Sequence, residues 1–361
     1  MRSRAYELDW QKEVSMAEMQ AAVFKGDRSL EVRAVERPSP GPGNVLIRVR
    51  HCGICGSDLH FYKGELPSPP GLRMGHEFSG EIAEVGQGVD GLRPGDQVCV
   101  EPLIVCGECE HCRSGNYQLC LTRRLLGAGG VDGAFAEYVE VPAYSVYRLP
   151  QGMDAEVGSL IEPLAVAVHG LRLAELSMGE RVVVLGAGTI GQMALLAAQA
   201  FGASDTTVVA LHQHQAEAAR ALGASRAVEA SDEALAQLAQ NLSESPPDVV
   251  VEAVGGEADT LVRAASLVRP GGRVCLLGLF VRPVPWNPLG FLLKEGRLVA
   301  GMTYGRGEAR SDFELALEIA ARRPDDLRRL ITHRLPLSRV GEAFETAADK
   351  STGSIKVTVE L

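Results

Sequence analysis

Four cysteines, Cys106, Cys109, Cys112 and Cys120, fall within "CGECEHCRSGNYQLC" at the spacing C-x2-C-x2-C-x7-C. Thiolates this close can complete a tetrahedral shell around Zn²⁺ and leave no position for substrate, which is a structural metal site. The competing readings are buried structural cysteines or a disulfide knot. Gly, Glu and Ser interrupt the run, so it forms no hydrophobic face, and ligand type and spacing favour zinc. His111 lies inside the loop, but the four sulfurs already fill the shell, so an exposed position is expected for it.

A second donor set is less compact. "HCGICGSDLH" supplies Cys55, "GHE" supplies His76 and Glu77, and "IEPLAVAVHG" supplies Glu162. A thiolate, an imidazole and one carboxylate can hold zinc and leave a position open. Either Glu162 or Glu77 can be that carboxylate. An open zinc is a Lewis acid that lowers the pKa of a bound hydroxyl. Ser57 and His60 then read as a relay that carries the hydroxyl proton to solvent. Taken alone, Cys55 is an ordinary core cysteine, Ser57 a turn serine and His60 a surface histidine. Cys52 stands at the wrong offset and reads as structural, while Cys99 and Cys275 sit in strand-like runs and read as core.

The third feature is "VVVLGAGTIG", with Gly186, Gly188 and Gly191 around Thr189 and Ile190. A lone G-x-G-x-x-G is a weak signal. Here it follows an apolar strand and opens a helix, the context in which the glycines admit a pyrophosphate close to the helix N-terminus. An acidic residue is expected about twenty positions on, at the end of the second strand, to hold the adenosine ribose. Ala210, Leu211, His212, Gln213 and His214 stand there instead. Without a carboxylate nothing repels a 2′-phosphate, and His212 and His214 can hydrogen-bond one. NADP is therefore favoured, with NAD tolerated. The bland reading of the two histidines is an exposed loop pair.

These residues need two kinds of scaffold. Residues 19 to about 155 read as short strands ("VLIRVR", "EFSGEIAEVG", "FAEYVEV") separated by Gly, Pro and Asp turns. From about 160, strands such as "RVVVLGAG", "TTVVAL", "DVVVEAVG" and "RVCLLGL" alternate with helices such as "TIGQMALLAAQAFG" and "HQAEAARALGA". That alternation implies a parallel sheet covered on both faces. The tail holds a helix and a terminal strand that can return to the first half. At 361 residues the chain has room for two cores. A net charge of −10 argues against nucleic acid as a partner. The apolar run from Val182 to Phe201 is interrupted by glycine and reads as strand, turn and helix rather than a membrane span. No targeting or membrane segment is evident, and the clustered cysteines fit a reducing compartment better than a secreted disulfide framework, which points to the cytoplasm.

Taken together, the motifs resemble those of the zinc-containing medium-chain alcohol dehydrogenases, especially the polyol (sorbitol) and butanediol dehydrogenase branch. The resemblance runs from Met19 to the C-terminus. It implies an α/β chain with a GroES-like β-rich catalytic domain over 19–160, including a structural zinc lobe at about 99–125. A Rossmann domain over 161–305 and a returning segment over 306–361 follow, and an extension over 1–18 precedes. It further implies two zinc ions per chain, one catalytic (Cys55, His76, and Glu162 or Glu77) and one structural. NAD or NADP would be the cofactor, a small alcohol or ketone the substrate, and a homodimer or homotetramer the assembly. Sorbitol is not a safe substrate, because "AGMTYGRGEARSDF" lacks the Arg-Tyr pair of sorbitol dehydrogenases. "EPLAVAVH" replaces the "DPFGNAVH" of threonine dehydrogenases. Phe61, Tyr62, Tyr304 and Arg306 are expected at the pocket rim. The reading is interconversion of a secondary alcohol in a polyol, vicinal diol or cyclitol with a ketone. The alternatives are a threonine, glucose or other alcohol dehydrogenase, a lyase or reductase on the same scaffold, and a non-catalytic zinc- and nucleotide-binding sensor.

Overall fold

The computed structural model of the chain describes residues 17–361. Most of the expected N-terminal extension lies outside the described residues. Among the described residues the first element is an antiparallel hairpin, Glu18–Gly26 with Ser29–Glu36, which includes Met19.

The first half is organised on a seven-stranded sheet. Its central strand, Asn44–Gly53, is flanked by Glu77–Val85 and Tyr138–Pro142, and Gln97–Val100 and Val146–Arg148 extend it on one side. On the other side two strands from the end of the chain complete it. Lys356–Glu360 pairs with Asn44–Gly53, and Ile331–Pro336 pairs in parallel with Lys356–Glu360. Val45, Ile47 and Val49 alternate inward in the central strand, with Cys52 and Phe78 in the same core. Alternation with a period of two is what gives one sheet face to a core. Gly80 backs directly onto the neighbouring strand, where a Cβ would collide with the Arg48 carbonyl.

The second sheet has six parallel strands in the order Arg226–Glu229, Asp205–Ala210, Arg181–Leu185, Val249–Glu252, Arg273–Leu276, Arg297–Ala300. Its central strands are buried on both faces, as "VVVL" and "VVV" require. The strand order reverses between Arg181–Leu185 and Val249–Glu252. Such a switch point opens a crevice at the carboxyl ends of the strands, and the glycine turn 186–188 sits there. The helix Ile161–Leu173 packs against Thr189–Ala200 and Asp312–Arg322 while its N-terminal end reaches the first sheet. It therefore hands Glu162 from one half of the molecule to the other. Among the described residues no helix is long and apolar enough to cross a membrane.

Candidate active site and metal centres

The cysteine lobe is closed. All four Sγ atoms of Cys106, Cys109, Cys112 and Cys120 lie within 4.8 Å of one another. The separations include 3.9 Å for Cys106–Cys112, 3.5 Å for Cys109–Cys112 and 3.6 Å for Cys120–Cys106. Four sulfurs bound 2.3 Å from one tetrahedral centre sit about 3.8 Å apart, so the quartet has the dimensions of a zinc shell. None of the eight cysteines is in a disulfide. Backbone hydrogen bonds from Cys106, and the Thr122 hydroxyl, bring Cys120 down to about 6. Burial and the neighbouring sulfurs push Cys112 up to about 12. Four thiolates can share this space only around a cation. His111 is half-buried rather than exposed.

The open set forms where the central strand of the first sheet ends. Cys55 caps the short helix Gly56–Tyr62, and its N–H donates to Asp58 Oδ2 at 2.9 Å. His76 opens onto the strand Glu77–Val85, and its Nε2 lies 3.4 Å from Ser57 Oγ. Its Nδ1 faces Asp58 Oδ1 at 3.6 Å. Both of these atoms are buried, and neither makes a hydrogen bond. Asp58 thus stands behind His76, as a carboxylate that orients a ligating imidazole does. Burial works against a charged His76, but Asp58 and Cys55 outweigh it and hold its pKa well above the histidine value.

Glu162, in the first turn of Ile161–Leu173, is buried. Burial raises its pKa, His76 pulls it down, and the Tyr304 hydroxyl is close enough to do the same. Glu77 is buried too, but Lys356 Nζ pairs with it and also donates to the Ile54 carbonyl at 3.0 Å. Cys55, His76 and Glu162 offer a sulfur, a nitrogen and an oxygen around buried polar atoms that lack partners, a donor set suited to zinc. Among the described residues, however, only the cysteine quartet has all its donor atoms drawn together within 4.8 Å. His60, one turn after Ser57, directs Nδ1 to Glu65 Oε2 at 2.5 Å on the exposed side.

At the nucleotide turn Gly186 has φ of 99°, and a Cβ at Gly191 would collide with the Gly186 carbonyl. Gly188 faces open space. Thr189 uses its hydroxyl within the protein, donating to the Ile355 carbonyl at 2.9 Å; Ile190 is half-buried. Ala210 is fully buried in the core, so its side chain presents nothing to a ligand, while His212 and His214 stack beyond it with ring centroids 5.5 Å apart.

The expected pocket rim needs correction. Tyr62 is buried, packed on Phe344 at 5.1 Å. Tyr304 is also wholly buried, edge-on to Phe313, so it presents no surface to a substrate. Phe61 is half-buried, and only Arg306 is exposed. Several residues that organise the site escape a linear reading. Asp58 was signalled by its place three residues after the cap, where an acid reaches back to the cap N–H. Lys356 was signalled as the one cation in the apolar run "SIKVTVEL". The group of His169 and Asp312, both buried, with the half-buried Arg172 left no signal. Asp312 bonds His169 Nδ1 at 2.7 Å, Arg172 Nε at 2.7 Å and the Gly305 N–H at 2.7 Å, fixing the loop that carries Tyr304.

Comparison with known proteins agrees with this fold. Residues 41–151 match the alcohol dehydrogenase GroES-like domain, and residues 189–322 match the zinc-binding dehydrogenase family. A sorbitol dehydrogenase of Bacillus subtilis is 33% identical over 94% of this chain and 97% of its own. An L-idonate 5-dehydrogenase of Vitis vinifera is 34% identical over 95% of both. A Sinorhizobium meliloti structure, assigned to the zinc-binding dehydrogenases and bound to NADP, has a TM-score of 0.85 at 30% identity, covering 96% of this chain and 100% of that one. The chain belongs to the zinc-containing alcohol dehydrogenase family, in its polyol dehydrogenase branch.

Proposed function

From that membership we propose that the protein interconverts a secondary alcohol of a polyol, vicinal diol or cyclitol with the corresponding ketone. It is an oxidoreductase of CH–OH groups that uses zinc and NAD or NADP. The observation that carries the site assignment is His76, held between Asp58 and Ser57 in the field of Cys55 and Glu162. Cys55, His76 and Glu162 would hold the catalytic ion. Glu162 is preferred over Glu77 because Lys356 already engages Glu77. A zinc ion there supplies the Lewis acidity that makes a substrate hydroxyl a stronger acid. A dinucleotide on the turn at Gly186, Gly188 and Gly191 supplies the hydride acceptor. Ser57 Oγ stands next to His76 and takes the hydroxyl proton while giving its own to His60. Glu65 holds His60 at the exposed edge, from which the proton leaves. Cys106, Cys109, Cys112 and Cys120 hold a second, structural ion.

The domain division we infer is 19–160, 161–305 and a returning segment 306–361, whose strands Ile331–Pro336 and Lys356–Glu360 join the first sheet while its helix Asp312–Arg322 packs on the second half. Two features support self-association into a homodimer or homotetramer. The strand Arg297–Ala300 is a sheet edge, and the helix before it exposes Leu289, Leu292 and Leu293. Eight unpaired cysteines support a reducing, cytoplasmic setting.

Relatives that carry the names sorbitol and L-idonate dehydrogenase point to hydroxylated carbon chains. The test is a panel of polyols, diols and cyclitols against ethanol, followed at the reduced-nicotinamide absorbance band. A kcat/KM advantage of more than about tenfold for the hydroxylated substrates is expected, since polar groups left unpaired by a bare alcohol weaken transition-state binding. Equal or better efficiency with ethanol overturns the polyol assignment.

A further inference from the structure

A cavity of about 370 Å³ lies where the cysteine lobe meets the loop that follows Tyr304. The first half of the chain gives it Glu101, Tyr117, Tyr144 and Tyr147, and the second half gives it Arg306 and Ser311. None of Cys55, Ser57, His76 and Glu162 lines it. The wholly buried Tyr304 lies between the two sites, and the charges of both Glu162 and Glu101 bear on its hydroxyl.

The acid in this cavity lacks a counter-charge. Glu101 is 6% exposed, and among the described residues no Lys, Arg or His forms an ion pair with it. Its partners are phenols: the Tyr147 hydroxyl donates to Oε2 at 3.1 Å, and the Tyr117 hydroxyl is a second donor. Burial pushes its pKa up to about 7, the two hydroxyls resist, and Asp312 and Glu314 add to the rise. No cation is among the groups that bear most on it. The tyrosines are fixed. Tyr147 stacks on Phe313 at 5.2 Å, and the Val105 N–H donates to the Tyr144 hydroxyl at 3.2 Å. A buried carboxylate among aromatic rings is short of a charged donor, and the rings attract the same cation through their faces. A single carboxylate is too few for Ca²⁺, which takes six or more oxygens, so the cavity suits an organic ammonium. At its mouth Arg306 is exposed and has no acidic partner among the described residues. That guanidinium is free to take a carboxylate at the outer end of the same ligand.

We propose that this cavity binds a small, elongated amino acid, with its ammonium on Glu101 among the tyrosines and its carboxylate on Arg306. The site is separate from the zinc cleft and does not depend on the dehydrogenase reading.

The test is titration calorimetry on the full chain at pH 8 with three probes of one length, 5-aminopentanoate, pentylamine and pentanoate. The wild type is expected to bind pentylamine at least about tenfold more tightly than pentanoate, the scale of one charge-assisted hydrogen bond, and 5-aminopentanoate severalfold more tightly again. Glu101→Gln should weaken both amines by about tenfold or more. Arg306→Gln, at an exposed position, should remove only the advantage of 5-aminopentanoate over pentylamine. Cys55→Ser, which removes the catalytic ion, should leave all three affinities unchanged. Pentanoate binding as tightly as pentylamine, or amine affinities unmoved by Glu101→Gln, overturns the proposal. Equal affinities for 5-aminopentanoate and pentylamine in the wild type remove Arg306 and the amino-acid assignment with it. Loss of amine binding in Cys55→Ser places the amine on the catalytic ion instead and also overturns the proposal.

Discussion

In the cysteine lobe every sulfur comes from one fifteen-residue stretch, Cys106 to Cys120. Cys55, His76 and Glu162 instead come from a helix cap, the start of a strand and the first turn of a helix that leads into the other half of the molecule. The first set is gathered to zinc dimensions by its own loop. The second is held apart and supported from behind, His76 by Asp58 and Glu77 by Lys356. A closed shell needs only a short chain that can wrap an ion. An open one must keep a position for substrate, so its donors are fixed by packing and by neighbouring charges rather than by one another.

The sharpest way to break the comparison is to remove a donor from each set. Cys55→Ser or His76→Ala should abolish turnover while the fold and nucleotide binding persist, and metal analysis should fall from two zinc ions per chain to one. Near-full activity in Cys55→Ser would remove Cys55 from the ligand set. Next in size is Ser57→Ala, which keeps both ions and should slow turnover by roughly 10²–10⁴-fold, the contribution of a positioned proton-transfer group. An unchanged rate would leave Ser57 as no more than a helix-turn serine near His76.

Cys106→Ser should act on stability first. Zinc in small structural modules contributes on the order of 10 kcal/mol of folding free energy, far more than the few backbone bonds within the lobe. We expect loss of one ion, loss of amide protection across 106–120 in hydrogen exchange and a lower melting temperature. Turnover should fall far less than in Cys55→Ser. Equal loss of activity in the two variants would mean that the lobe is part of the catalytic apparatus.

Legibility from sequence followed the same division. The quartet and the glycine turn were readable because their geometry is local: a spacing, a strand that ends and a helix that begins. The βα alternation and the returning tail were readable from periodicity. The partners of the open site were not, because they come from far along the chain. Lys356 meets Glu77 only because the last strand pairs with Asn44–Gly53. Tyr304 was misread as rim because an aromatic next to glycines looks exposed until Phe313 and Asp312 bury the loop that carries it. Ala210 was singled out for standing where a carboxylate is expected, but its side chain belongs to the core and presents nothing to a ligand.

The smallest expected effect probes the seam between the two regions. Glu101 is buried beside the lobe. It accepts the Tyr147 hydroxyl at 3.1 Å, and Tyr147 stacks on Phe313 under Tyr304. Burial raises its pKa to about 7, with Tyr117 and Tyr147 resisting. A carboxyl that binds its proton more tightly when folded than when unfolded makes the folded state carry the extra proton between about 4.5 and 7. Its contribution is therefore fully present below the unfolded value and lost as pH rises through the folded one, at most on the order of 3 kcal/mol. Carboxylates such as Asp248 and Asp312, whose pKa values are lowered, titrate in the opposite sense and at lower pH, so wild type and variant must be compared across the same range. Glu101→Gln mimics the protonated acid. It should match the wild type in denaturant stability near pH 5 and exceed it increasingly toward pH 8. A constant difference between the two proteins at every pH would show that Glu101 keeps one charge state throughout, and that the seam between lobe and cleft is held by the tyrosines alone.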